Sequence, residues 1–194
     1  MKKDIILSGV GGQGILSIAT VIGWAALDQN LYLKQAEVHG MSQRGGDVQS
    51  NLRIASSEIY SDLIPKGECD MIISMEPMEA LRYLPWLSPK GWIITSSVPF
   101  VNIPNYPQIE EIEKELKKSA NLIKIDSEAI AKEIQAPRSS NMVLLGAAAR
   151  FIEIIKKENL QDGIKNVFMR KGEEMVATNL KAFEAGYEFA QKSL

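Results

Sequence analysis

A chain of 194 residues, 45% of them hydrophobic and 24% charged, is long enough to bury one well-formed core and short for more than one domain. Its net charge of -2 gives no basic footprint for nucleic acid, and no apolar run reaches the roughly 18 residues of a membrane helix, so neither partner is expected. The start Met1-Lys2-Lys3-Asp4 runs straight into an apolar segment without a secretory leader, and the cytoplasm is the expected compartment.

In chain order, the first element is Asp4-Ile5-Ile6-Leu7-Ser8, expected as a buried strand over 4–8. It runs into Gly9-Val10-Gly11-Gly12-Gln13-Gly14, after which the apolar sequence is long enough to predict a helix over 13–28. Glycines at a strand-to-helix turn permit positive φ, let a ligand approach the backbone, and leave helix N-terminal N–H groups free to meet an anion. The spacing Gly9-x-Gly11-x-x-Gly14 satisfies the dinucleotide fingerprint. The acidic residue that should follow about 20 residues later is missing, because that count from Gly14 reaches Lys34. Dinucleotide binding, a structural tight turn, another anionic ligand and a subunit interface all stay open for this loop.

A strand over 31–36 leads to Glu37-Val38-His39-Gly40-Met41-Ser42-Gln43-Arg44-Gly45-Gly46, which has neither a strand period nor a helix period and is dense in polar groups. Glu37, His39, Gly40, Gln43, Arg44, Gly45 and Gly46 are its candidate contact residues. No catalytic role is assigned; the candidate for one is His39, the sole histidine, whose ordinary pKa of about 6.5 suits proton transfer. Arg44 offers a planar fork for phosphate or carboxylate. The alternative is a solvated loop that ends in a Gly-Gly turn before an alternating strand over 47–55.

Further strands are expected over 70–75, 91–96 and 121–125, and further helices over 76–84, 107–119, 127–134, 140–157 and 172–191. Cys69 sits at a strand edge as an inert thiol. Glu76 and Glu79 stand at the carboxyl end of a strand, where open α/β sheets bind ligands, although first-turn acids also favour a helix dipole. The stretch from Pro99 to Pro107 is expected as a surface excursion, and Asp126 as a helix cap. Asn141 opens a helix whose Gly146-Ala147-Ala148-Ala149 face permits close packing, and it is kept as a candidate interface or ligand residue. Met175, Leu180, Phe183, Tyr187 and Phe189 should dock the last helix on the sheet or on a partner, and Trp24, Trp86 and Trp92 are expected as core or interface anchors.

Alternating strands and helices predict an α/β fold, a single Rossmann-like domain over 1–194 with a mainly parallel sheet flanked by helices. The glycine loop, the Glu37 to Gly46 segment, Glu76-Pro77-Met78-Glu79-Ala80 and Asn141-Met142-Val143-Leu144-Leu145-Gly146-Ala147 together resemble the gamma-type domain of 2-oxoacid:ferredoxin oxidoreductases, in the indolepyruvate branch. Ser42 stands where that branch commonly has alanine. The resemblance implies a subunit of an enzyme that oxidatively decarboxylates an aryl-2-oxoacid to its acyl-CoA, with ferredoxin as electron acceptor. It also implies that thiamine diphosphate and the iron-sulfur clusters lie on a large partner subunit, that coenzyme A is a co-substrate, and that ferredoxin is reached through the complex. The candidates Gly9, Gly11, Gly12, Gln13, Gly14, Glu37, His39, Gly40, Gln43, Arg44, Gly45, Gly46 and Asn141 would then face that partner or help close the cofactor and coenzyme A region.

Cysteine arithmetic bears on this division of labour independently. An iron-sulfur cluster usually takes about four cysteines, and this chain has one. Three readings stand: a non-cluster subunit of such an oxidoreductase, with pyruvate or branched-chain 2-oxoacids as alternative substrates; an independent NAD- or FAD-binding protein; and a non-catalytic adaptor.

Overall fold

The computed structural model describes residues 1–39 and 45–193, and of His39 the backbone. The strands are β1 (Lys2–Val10), β2 (Tyr32–His39), β3 (Asp47–Ala55), β4 (Cys69–Ser74), β5 (Leu87–Ser96) and β6 (Leu122–Ile125). The helices are α1 (Ile15–Asp28), α2 (Pro77–Arg82), α3 (Ile109–Leu116), α4 (Ser127–Glu133), α5 (Ser140–Ala149), α6 (Lys157–Phe168) and α7 (Glu173–Lys192). They surround one six-stranded sheet of order β2-β3-β1-β4-β5-β6.

Strands β1, β4, β5 and β6 pair in parallel, as the alternating pattern predicts. The departure is a hairpin at one edge: β3 runs antiparallel to both β1 and β2, which makes the sheet mixed. Two antiparallel steps leave β2 running in the same direction as β1. The ends of β1 and β2 therefore fall on the same edge of the sheet, and the register aligns His39 with Val48 and Val48 with Gly9.

Ile5, Ile6 and Leu7 are all fully buried because the middle of the sheet is covered on both faces. With a side-chain period of two, Ile5 and Leu7 join Ile18, Ile22, Leu144 and Phe183 on one face. Ile6 joins Ile72, Ile93, Ile112 and Leu116 on the other.

The helix expected over 140–157 ends instead at Ala149. The apolar residues beyond it fill a corner of the core without helical repeat: Phe151 stacks on Trp92 with ring centroids 4.1 Å apart, and Ile152 and Ile155 are buried. A further helix, α6, was not anticipated in this stretch of Lys, Glu, Gln and Asp. Its buried stripe Leu160, Gly163, Ile164 and Phe168 nevertheless has helical spacing. The last helix docks on α5 rather than directly on the sheet. The two backbones touch at Gly146 and Gly186: a Cβ at the first would lie 1.9 Å from the Phe183 carbonyl oxygen, and one at the second 1.8 Å from that of Val143. Trp24, 45% exposed on α1, does not anchor the core.

Candidate functional site

The site lies where β1 and β2 end and α1 begins. Gly14 is the residue before α1, with φ +82° and no side-chain cap, so the turn depends on a residue free to enter the left-handed region. Gln13 braces this turn from within. Its Oε1 accepts the Val10 N–H at 2.7 Å, and its Nε2 donates to the Met75 carbonyl at 3.3 Å, linking the ends of β1 and β4. The Gln13 amide is thus a clamp.

The two sequence motifs meet through their backbones. Gly11 donates to the Gly46 carbonyl at 2.8 Å, and Gly45 donates to the Gly11 carbonyl at 3.3 Å. Asn102, from the excursion after β5, donates through Nδ2 to the Gly45 carbonyl at 2.6 Å. Asn141 arrives from far along the chain: its Nδ2 donates to the Gly14 carbonyl at 3.1 Å while its Oδ1 accepts the Met142 N–H. A Cβ on Gly14 would stand 2.6 Å from that Nδ2, so a larger residue there would displace the Asn141 amide from the Gly14 carbonyl. The structure therefore brings Gly9, Gly11, Gly12, Gln13, Gly14, Gly45, Gly46 and Asn141 together.

Other expected residues are placed differently. Glu37 is exposed on β2 and accepts from Gln35 Nε2 at 2.6 Å; no bond joins it to the glycine loop. Gly40, Gln43 and Arg44 lie outside the described residues, as does the His39 side chain. Lys34 stands on the edge strand β2, and β3 separates that strand from β1, so the position that would carry a dinucleotide's ribose acid has neither the charge nor the adjacency.

The glycine loop forms a ridge between two hollows. One, of about 400 Å³, is mainly apolar and lined by Val10, Ile15, Leu16 and Val48 beside the glycines. The other is an open polar cleft of about 480 Å³, with Gly12, Gln13, Gly14 and Asn141 on one side and Phe100, Arg138, Lys171 and Asn179 around it. Arg138 and Lys171 are both exposed cations, and among the described residues nothing accepts from the backbone N–H of Gly12 or Gly14. The cleft is also lined by the carboxylate Glu128, so its side chains carry two cations against one anion, and with the free amides near the helix start this balance suits an anionic ligand. Sequence reasoning missed Arg138 and Lys171. The first was readable as a cation just before the cap region of Asn141, whereas the second is brought in by the turn between α6 and α7, a helix that was not foreseen.

Glu76 and Glu79 serve α2. Glu76 caps it by accepting the Glu79 N–H at 2.8 Å, and Glu79 pairs with Arg82 through two bonds of 2.8 and 3.1 Å, which pushes the guanidinium pKa up. Asp126 caps α4 by accepting the Ala129 N–H at 2.8 Å. The buried Cys69 thiol has its pKa pushed up to about 12, chiefly by desolvation, and it donates to the Met71 carbonyl. It is an inert strand residue. Among the described residues no group of three or more His, Cys, Asp or Glu side chains is arranged to hold a metal ion, and no helix is long and apolar enough to cross a membrane.

Residues 4–189 match the family model described as pyruvate ferredoxin/flavodoxin oxidoreductase. The chain is 35% identical over 204 residues to the indolepyruvate oxidoreductase subunit IorB of Pyrococcus horikoshii, covering 100% of this chain and 99% of the relative. It is 35% identical over 201 residues to the subunit of the same name from Methanothermobacter thermautotrophicus, covering 100% of both. In structure it is similar to a 2-oxoglutarate:ferredoxin oxidoreductase from Magnetococcus marinus, solved with 2-oxoglutarate, coenzyme A and succinyl-CoA bound, with a TM-score of 0.77 and 25% identity. All of this chain aligns there, but it spans only 31% of that longer protein.

Proposed function

Since this chain belongs to the pyruvate ferredoxin/flavodoxin oxidoreductase family, we propose that it is the small, gamma-type subunit of an indolepyruvate:ferredoxin oxidoreductase, folded as one domain over residues 1–194. The full-length likeness to two indolepyruvate oxidoreductase subunits carries this reading. The reaction is the oxidative decarboxylation of an aryl-2-oxoacid to its acyl-CoA, with the electrons passed to ferredoxin.

In this reading a large partner subunit holds thiamine diphosphate and the iron-sulfur clusters. The one cysteine of this chain is buried and its pKa is raised, which suits it poorly as a cluster ligand. The thiamine cofactor supplies the chemistry of decarboxylation when bound. This chain contributes a wall of the cleft and an anion site.

Coenzyme A fits the polar cleft by chemistry. Its phosphates call for cations and free amides, which Arg138, Lys171 and the Gly12 and Gly14 N–H groups provide. Asn141 sets the loop from below through the Gly14 carbonyl. On the other side of the ridge, the apolar hollow and the exposed Leu16, Trp24 and Leu27 of α1 offer a surface for the partner subunit. The end of β2 at His39 lies at the same sheet edge, and His39, Gly40, Gln43 and Arg44 are assigned by their chemistry to contacts with that partner or the cofactor region.

Reconstitution tests the proposal. The chain is combined with its large partner under anaerobic conditions, and ferredoxin reduction is followed with indolepyruvate, phenylpyruvate, pyruvate, 2-oxoisovalerate and 2-oxoglutarate. Aryl-2-oxoacids should give the highest kcat/KM, with strict need for coenzyme A and for this chain. Preference for pyruvate or a branched 2-oxoacid would transfer the assignment to another branch of the family.

A further inference from the structure

Residues 97–108, between β5 and α3, form a strap that reaches the site from outside it. Phe100 lines the polar cleft, and Asn102 holds the Gly45 carbonyl. The strap has little apolar anchorage at this point, with Phe100, Val101 and Ile103 exposed by 44%, 69% and 37%. What ties it down is polar. Glu76, fully buried at the end of β4, uses Oε1 to accept both the Phe100 N–H at 3.3 Å and the Tyr106 hydroxyl, while Oε2 accepts the Glu79 N–H.

The three donors are neutral, and two of them belong to the strap. A carboxylate buried this deeply depends on its bonds, and lifting the strap would take away two of its three donors. The contact therefore works as a latch: it costs free energy to open, although the segment it holds is largely exposed.

We propose that Glu76 and Tyr106 are positioning residues that hold the strap as one wall of the cleft, so that affinity for coenzyme A is set by a latch lying outside the cleft itself. The proposal rests on the coenzyme A reading above. Loss of a latch bond lowers the fraction of molecules with the wall in place, and apparent affinity falls by that fraction.

The test is calorimetric titration of coenzyme A into the assembled complex, with hydrogen exchange measured over residues 97–106. Tyr106→Phe removes one hydroxyl and leaves the cleft's own side chains intact. It should weaken coenzyme A binding by up to about tenfold, the limit set by losing one hydrogen bond to a charged group, and speed exchange of the strap. Unchanged affinity, with or without a lower melting temperature, would mean a purely structural bond and overturn the proposal. Arg138→Ala and Asn141→Ala separate the two possible failures. If they weaken binding and Tyr106→Phe does not, the latch alone is wrong; if none of the three does, the cleft reading has failed and the latch falls with it.

Discussion

Gly11 donates its N–H to the carbonyl of Gly46 across 2.8 Å, and through this bond the two most distinctive motifs of the sequence become one structural unit. The bond also uses up one of the amides that a phosphate-binding glycine loop would offer to its ligand. The amides of Gly12 and Gly14, by contrast, have no acceptor among the described residues, and both glycines line the polar cleft.

Gly14→Ala should damage the site more than its size suggests. A non-glycine residue at φ +82° costs about 1–2 kcal/mol, and the new methyl would stand 2.6 Å from Asn141 Nδ2 and displace it. Denaturant unfolding should show a loss of that order, with coenzyme A affinity reduced in the same protein. Unaltered stability would contradict the left-handed turn.

Gln13→Ala tests the clamp. It leaves the Val10 N–H without its acceptor at a residue only 2% exposed, and frees the Met75 carbonyl. The expected cost is about 1–3 kcal/mol, measurable as a lower urea midpoint with unchanged slope.

Gly146→Ala places two effects in opposition. Helix propensity favours alanine by about 1 kcal/mol. The Cβ would lie 1.9 Å from the Phe183 carbonyl oxygen, a backbone atom that cannot swing aside, so α5 and α7 must separate. Overpacking of this kind costs about 3 kcal/mol, and the variant should be net destabilised in chemical denaturation. A stabilised variant would refute the close crossing.

Alkaline stability follows from two buried groups. Desolvation raises the Cys69 thiol from 9.0 to about 12; desolvation first and Glu79 second raise the Tyr83 phenol from 10.0 to about 12. In both, the folded pKa lies above the unfolded one, so the contribution is complete below about pH 9. It is lost as pH climbs toward 12, because the unfolded chain releases protons that the folded one keeps. Urea midpoints should be flat up to about pH 9 and fall beyond it, more gently in Cys69→Ala. Iodoacetamide should label Cys69 only after unfolding.

Much of the fold was legible because its signals are local. Ile5 to Leu7, Met71 to Ile73 and Ile93 to Ile94 are apolar enough to declare buried strands, and Asp126 declares its cap. The antiparallel placement of β3 between β1 and β2 is a long-range choice that no local period encodes. Phe151 and Ile152 looked helical because they continue an apolar run, and it is packing against Trp92 that bends the chain there. In the site, the glycine loop, Gly45-Gly46 and Asn141 were visible as motifs. Their joining, and the arrival of Arg138, Lys171 and Asn102, depend on tertiary folding.

The most direct test of the central claim is anaerobic affinity purification of the tagged chain from its native cells, with mass spectrometry and assays of iron and thiamine diphosphate in the eluate. The account predicts one large cysteine-rich partner carrying both cofactors. Recovery of the chain by itself, free of iron and thiamine diphosphate, would contradict it.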